Sequence, residues 1–429
     1  MKRRSLIKAF TLSASIAAMG LTWTVQAAET IKVGILHSLS GTMAISETSL
    51  KDMALMTIDE INAKGGVNGK MLEPVVVDPA SNWPLFAEKG RQLLTQDKVA
   101  VVFGCWTSVS RKSVLPVFKE LNSILFYPVQ FEGEEGERNV FYTGAAPNQQ
   151  AIPAVDYLMS ADGGSVKRWV LEGTDYVYPR TTNKVLEAYL KQKGVADADI
   201  MINYTPFGFS DWQTEVSKIK AFGSAGKKTA VVSTVNGDAN VPFYKELGNQ
   251  GLKATDIPVM AFSVGEEELA GLDTKPLVGH LAAWNYFESI KTPENEAFIK
   301  EWHDFTKNPK RTTNDPMEAH YIGFNMWVKA VEKAKTTEPD KVIAALPGIK
   351  QANLTGGISE MLPNHYITKP VFIGEIRADG QFNVVWQTKG LVPGDAWSPY
   401  LPGSKDLVAD WVTLKCGNYN TVTKTCGGS

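Results

Sequence analysis

Short apolar runs alternate with helical-spaced apolar positions along most of the chain. Ile31–Leu36 is an apolar run that ends in a Ser/Gly turn, and Leu50, Met53, Ala54, Ile58 and Ile61 follow at the spacing of one helix face. Lys64, Gly65, Gly66 and Asn68 close that helix in a turn. A strand is predicted at 72–77, a helix opened by Pro84 to about 96, a buried strand at 99–103, a helix at 110–121 and a strand at 124–127. The pattern then starts again. Strands at 168–171, 200–204, 229–234 and 258–262 are separated by helices at 183–193, 212–222 and 241–249. Strands alternating with helices predict βαβ units and a parallel sheet. Two such series of similar size predict two similar lobes.

Beyond Gly265 helices dominate, at 294–306 and 317–333, before two strands at 371–376 and 383–386 joined through Ala378, Asp379 and Gly380. The last forty residues are rich in Pro, Gly and Trp and read as an irregular surface strap. In an open parallel sheet a ligand sits beyond the carboxyl ends of the strands. The loops at 38–42, 104–110, 127–132, 173–178, 236–240 and 263–267 come from both series. A ligand cleft between lobes and hinge closure are therefore expected.

The chain has 429 residues, 44% apolar and 21% charged, with a net charge of -2. This is the composition of a globular protein, without the basic footprint of a nucleic-acid binder. Lys2, Arg3 and Arg4, the apolar stretch to Trp23, and Val25-Gln26-Ala27 have the layout of an export signal, placing the mature start near Ala28. No later stretch is long and apolar enough to suggest a transmembrane helix. In an oxidising compartment, Cys416 and Cys426 read as a local disulfide in the polar tail, leaving Cys105 as a buried odd cysteine.

Among five histidines there is no His-Glu-x-x-His pattern, and neither a nucleophile elbow nor a phosphate loop occurs. No cofactor or metal is expected. Cys105 paired with His37 or His320 would be the thiol-nucleophile alternative, but it carries no local signature. The positive signals are Gly104-Cys105-Trp106-Thr107-Ser108 between strand and helix, and Tyr127, Tyr176 and Tyr178 beside polar groups. Asn236, Asp238, Glu266 and Glu267 add acceptors. Aromatic walls with a few placed polar groups suit a small neutral ligand. The acidic run Glu132, Glu134, Glu135 and Glu137 reads as a solvated loop, with Glu132 nearest the strand end.

These segments resemble a known family. The opening 31–41 is similar to type I periplasmic binding proteins of the leucine/isoleucine/valine-binding branch. Runs 104–112, 115–118, 126–128, 141–144, 175–179, 233–238, 262–269 and 315–319 resemble its urea and short-chain-amide subgroup, and the resemblance spans about 31–401. It implies two Rossmann-like lobes joined by three crossovers near Ala145, Glu268 and Tyr366. Lobe 1 is then 28–145 with 269–366, lobe 2 is 146–268 with 367–390, and 391–429 is the strap. It further implies a periplasmic receptor, not an enzyme, that passes urea to ABC transporter permease subunits in the inner membrane. Trp106, Ser108, Tyr127 and Tyr176 or Tyr178 are carried over as ligand residues. The chain departs from the amide-sensing relatives at Trp106, where they have tyrosine, and at Val129, where they have threonine.

Urea offers one carbonyl acceptor and four N–H donors. Ser108 and nearby backbone groups are expected to serve the carbonyl, and Asp238, Glu266 and tyrosine hydroxyls the N–H groups. The alternatives are a short aliphatic amide and, in the same fold, a branched-chain amino acid. A secreted amidase and a cytoplasmic amide-sensing regulator are the other classes to be separated.

Overall fold

The computed structural model describes residues 29–427; the export-signal residues and the expected mature start near Ala28 lie outside them. The first lobe is built on a five-stranded parallel sheet. Its strands are β1 (Ile31–Leu36), β2 (Leu72–Val77), β3 (Val101–Gly104), β4 (Leu125–Tyr127) and β5 (Val140–Tyr142), in the order β2-β1-β3-β4-β5. Helices α1 (Ala44–Ala63), α2 (Trp83–Thr95) and α3 (Ser108–Glu120) connect them. Two of the three start at a side-chain cap. Asn82 accepts from the Leu85 N–H at 3.0 Å to cap α2, and Thr107 accepts from the Ser110 N–H at 3.1 Å to cap α3.

After β5 the chain passes into the second lobe with α4 (Ala151–Met159), whose buried face packs in that lobe's core. The second lobe then repeats the plan with β6 (Arg168–Thr174), α5 (Val177–Gln192), β7 (Ile200–Thr205), α6 (Gln213–Gly223), β8 (Thr229–Thr234), α7 (Asn240–Asn249), β9 (Val259–Ala261), the short α8 (Glu266–Leu269) and β10 (Leu281–Trp284). The chain returns to lobe 1 through α9 (Pro293–Thr306), α10 (Asp315–Ala334), α11 (Pro339–Ala345) and the hairpin of β11 (Lys350–Ala352) and β12 (Ile358–Glu360). It crosses back through β13 (Thr368–Lys369) to β14 (Phe372–Ile376) and β15 (Phe382–Gln387). The second sheet has the order β15-β14-β10-β9-β8-β6-β7, parallel from β10 to β7 and antiparallel at β14 and β15.

Two expectations are corrected. Residues 281–284 belong to the second sheet, so the second crossover follows Trp284 and does not lie near Glu268. The Leu-Ala-Ala-Trp strand is only four residues long and buried on both faces, so it shows no alternation to read. The C-terminal strap is also not irregular throughout. After β16 (Val392–Pro393), which pairs with β13, it forms a three-stranded sheet of β17 (Leu407–Asp410), β18 (Cys416–Asn420) and β19 (Thr425–Cys426). Cys416 and Cys426 are bonded, with their Cα atoms 5.9 Å apart.

Each lobe has its own core. In lobe 1, Phe103 stacks on Phe324 of α10 with ring centroids 4.3 Å apart, and Trp327 meets its edge. In lobe 2, Trp212 and Phe243 pack at 4.6 Å beneath β8 and β9. The crossovers are tied side by side. The Asn285 amide donates to Gln149 O at 2.9 Å and Pro370 O at 2.7 Å, touching all three passages at once. Buried Lys369 donates to Thr143 O at 2.9 Å and lies 3.7 Å from the Glu318 carboxylate. These polar knots tie the backbone of the crossovers together.

Candidate functional site: the cleft between the lobes

The strand order reverses direction between β1 and β3 in lobe 1 and between β6 and β8 in lobe 2. Loops leaving the carboxyl ends there diverge and open a crevice. The two crevices face each other. Trp106, from the loop after β3, donates its indole N–H to Asn236 Oδ1, from the loop after β8, at 3.3 Å. The Gln130 amide donates to Ser263 Oγ at 2.8 Å across the same gap. Further out, the Asp238 N–H donates to Thr42 O at 3.1 Å and Ser46 Oγ donates to Glu268 Oε1 at 2.7 Å. Trp83 and Phe207 pack at 5.2 Å. The lobes are thus closed on one another.

Trp106, Ser108, Tyr127, Tyr176 and Tyr178 are brought together. Trp106, Tyr127 and Tyr178 share one buried cluster with Phe131, and Tyr176 packs against it. The Tyr127 hydroxyl donates to Trp106 O. Burial pushes the Tyr127 and Tyr178 phenols up, so both remain protonated donors. The Tyr178 hydroxyl lies beside the Ser263 and Gln130 side chains, which partly offset the effect of burial, but it makes no well-formed hydrogen bond to either, and Gln130 Oε1 has no well-formed partner among the described residues.

Ser108 is placed as expected but occupied otherwise. Its hydroxyl donates to Glu132 Oε2 and accepts from Arg111 Nη1 at 3.2 Å. Its one O–H donor is committed, so the donors left for a ligand carbonyl are the first backbone N–H groups of α3, which the helix ladder leaves unpaired.

The acidic run is not a solvated loop. Glu132 is 1% exposed and Glu135 5% exposed, and both face Arg111, which is fully buried. Arg111 reaches Glu132 at 3.4 Å and Glu135 at 2.9 Å, and Lys112 reaches Glu135 at 2.8 Å. Burial alone would raise the Glu135 carboxyl; the Arg111 and Lys112 charges overcome this and hold it at about 2. Burial likewise opposes the Arg111 charge, and Glu135 and Glu132 more than offset that. The guanidinium lies 4.6 Å from the Tyr127 ring centroid and 4.5 Å from that of Phe131. Two cations and two anions therefore cancel behind the aromatic wall.

Asp238 and Glu266 are not brought to this cluster. Asp238 is exposed, because its backbone turns inward to bond Thr42. Glu266 is buried at the start of α8 and accepts from the Glu288 N–H at 2.9 Å; burial, then the neighbouring Glu288 charge, push its carboxyl well up. Gln130, Ser263, Arg111 and Glu132 are additions. The readable signal for Gln130 was a single polar residue between Val129 and Phe131 at a strand end.

Cys105 is buried beneath the cleft with a positive φ of 68°. Burial pushes its thiol up and the imidazoles of His37 and His320 down, the opposite of an activated thiolate pair. No group of three or more His, Cys, Asp or Glu among the described residues is arranged to hold a metal, and no helix among them is long and apolar enough to cross a membrane.

Two parallel-sheet lobes closing on a shared cleft define a solute-binding architecture. Residues 31–403 match the family model described as periplasmic binding protein domain, and the chain belongs to that family. A leucine-, isoleucine-, valine-, threonine- and alanine-binding protein of Pseudomonas aeruginosa is 24% identical over 348 residues, 78% of this chain and 87% of that one. A Leu/Ile/Val-binding protein homolog 7 of Brucella suis is 25% identical over 79% of this chain and 86% of its own length. A limonene hydroxylase of Geobacillus stearothermophilus is 27% identical, but over only 28% of this chain and 22% of that one. The ABC-transporter solute-binding protein of Rhodopseudomonas palustris HaA2, solved with p-hydroxybenzoic acid, superposes with a TM-score of 0.73 at 21% identity, covering 85% of this chain and 98% of that one. A branched-chain amino acid transporter substrate-binding protein of Streptococcus pneumoniae, solved with isoleucine, superposes with a TM-score of 0.68 at 19% identity, covering 85% of this chain and all of that one. The fold is that of a type I periplasmic binding protein.

Proposed function

We propose that the chain captures urea, or a short amide of the same chemistry, in the interlobe cleft and hands it to the permease of an ABC importer. The observation that carries this reading is the pair of unsatisfied buried atoms, Gln130 Oε1 and the Tyr178 hydroxyl, one from each lobe. Buried polar groups are costly unless paired, so a ligand that pairs both is favoured. Gln130 Oε1 accepts an N–H and the Tyr178 hydroxyl takes either role. The first N–H groups of α3, at the positive end of the helix, suit a carbonyl oxygen. Trp106 and Tyr176 supply apolar walls.

Charge and size point the same way. Arg111 is already shared between Glu132 and Glu135, so a benzoate would find no free cation there, and an amino acid would have to break an existing ion pair for each of its charges. Direct cross-lobe bonds of 2.8 and 3.3 Å hold the walls close, which favours an occupant of a few heavy atoms. What favours a second reading, a branched-chain amino acid, is the name of the Pseudomonas aeruginosa relative.

Thermal unfolding of the mature protein with urea, acetamide, leucine or 4-hydroxybenzoate separates these readings. A ligand at a hundred times its Kd stabilises by about 2.7 kcal/mol. Urea is expected to raise the midpoint most and acetamide less. A rise with leucine and none with urea would replace the amide reading with the amino-acid one.

A further inference from the structure

The loop that carries Glu132 and Glu135 is held from outside the lobe. Gly133 and Glu134 have φ values of 64° and 56°, two successive left-handed residues, of which the second is not glycine. That conformation is disfavoured for glutamate and persists only where neighbours enforce it. Its effect is geometric: it swings the chain so that the residues on either side, Glu132 and Glu135, both turn onto Arg111.

The flanks of this loop are held within lobe 1, where the Phe131 N–H donates to Ala145 O at 3.0 Å and the Tyr366 hydroxyl to Glu135 O at 2.6 Å, but the neighbours that hold Glu134 itself belong to the C-terminal segment. The Glu134 N–H donates to Ala396 O at 2.7 Å, its carboxylate accepts from the Ser398 N–H at 2.7 Å, and the Ser404 hydroxyl donates to the same carboxylate. On the next turn Gly136 meets Gly417 of β18 backbone to backbone. A Cβ on Gly417 would lie 1.7 Å from Gly136 O, and Trp397 donates to Gly417 O at 2.6 Å. Ser404 and all of β17–β19 lie beyond the family match, which ends at residue 403. The added sheet, closed by the Cys416–Cys426 bond, thus rests on the loop behind the ligand wall.

We infer that the segment from Ala396 to Gly427 is a positioning element for ligand recognition: it clamps loop 131–137 in the conformation that aims Glu132 at Ser108 and Arg111, and so sets the affinity and ligand discrimination of the cleft. The inference rests on the reading of the interlobe cleft as the ligand site. Ala396 belongs to the same buried cluster as Trp106, Tyr127 and Tyr178, and Trp397 and Ala409 pack against it, so the segment bears on the ligand wall directly as well as through Glu132 and its partners.

Full-length mature protein carrying G417V, S404A or, as a control, V422S tests this. Val422 is 69% exposed at the turn before β19. Two readouts are needed: amide hydrogen exchange over 131–137 without ligand, and calorimetric Kd values for urea and acetamide. G417V is expected to speed exchange in that loop at least about tenfold, to raise the urea Kd about tenfold and to move the urea-to-acetamide Kd ratio toward one. S404A, which removes one hydrogen bond and cannot clash, should shift all three in the same direction by about threefold. V422S should match wild type. A changed ratio separates positioning from a general loss of stability, which would weaken both ligands alike. Wild-type exchange in loop 131–137 in both variants overturns the clamp, and faster exchange with unchanged Kd values and ratio overturns its role in recognition. The exchange measurement needs no ligand, so it stands even if wild-type protein takes no urea; leucine then becomes the titrant for the same variants.

Discussion

Replacing Tyr178 with phenylalanine removes one oxygen and changes little else. That oxygen is buried and makes no well-formed hydrogen bond among the described residues. That burial belongs to the closed form; in the ligand-free protein, whose lobes open, water reaches the hydroxyl and its removal costs no internal hydrogen bond. Y178F should therefore be at least as stable as wild type without ligand. With urea bound the hydroxyl gains a partner, and a typical net hydrogen bond contributes about 0.5–1.5 kcal/mol. Its loss should raise the urea Kd roughly two- to thirteenfold. Weaker ligand binding without a loss of ligand-free stability is unusual for a buried aromatic residue. Calorimetric titration with urea gives the first, and guanidinium chloride unfolding gives the second without adding the proposed ligand. An unchanged Kd would remove Tyr178 from the site. A clear loss of ligand-free stability would show that the hydroxyl has a structural partner.

Other consequences follow from charge, covalent structure and hinge. Burial raises the Glu47 carboxyl to about 8 from an ordinary 4.5, so the folded protein holds a proton there that the unfolded chain has released. Its contribution to stability therefore falls as pH rises from about 4.5 to 8, with a limiting slope of about 1.4 kcal/mol per pH unit, and E47Q should flatten the pH dependence of guanidinium unfolding in that window. Alkylation of the denatured, unreduced protein should label Cys105 alone, and three labelled thiols would reject the Cys416–Cys426 bond. Small-angle scattering should show a smaller radius of gyration at saturating urea, because the Trp106–Asn236 and Gln130–Ser263 bonds form only when the lobes meet; an identical curve would count against closure on ligand.

Much of this architecture was legible because the local signals agree with the fold. Gly104 ends a buried strand and Thr107 caps a helix, so Trp106 between them and Ser108 at the first helical position had to lie at the carboxyl edge of the sheet. Tyr127, Tyr176 and Tyr178 were found by the same rule. Carboxylates were less readable, since their direction depends on backbone turns that sequence does not encode locally. Asp238 points out because its N–H points in, and Glu266 turns back to its neighbour Glu288. Four glutamates in seven residues look solvated, yet Glu132 and Glu135 are buried because Arg111, distant in sequence, neutralises them and the C-terminal segment covers them. Long-range pairing also hid β10, whose four apolar residues make sense only between β9 and β14.

A closed cleft built for a small neutral amide should take urea without competition from leucine. One calorimetric titration addresses it directly: mature wild-type protein titrated with urea, then the same titration in the presence of excess leucine. Saturable binding of one urea per chain is expected, with the same Kd whether or not leucine is present. Absence of urea binding, or displacement of urea by leucine at lower concentration than urea itself requires, would contradict it.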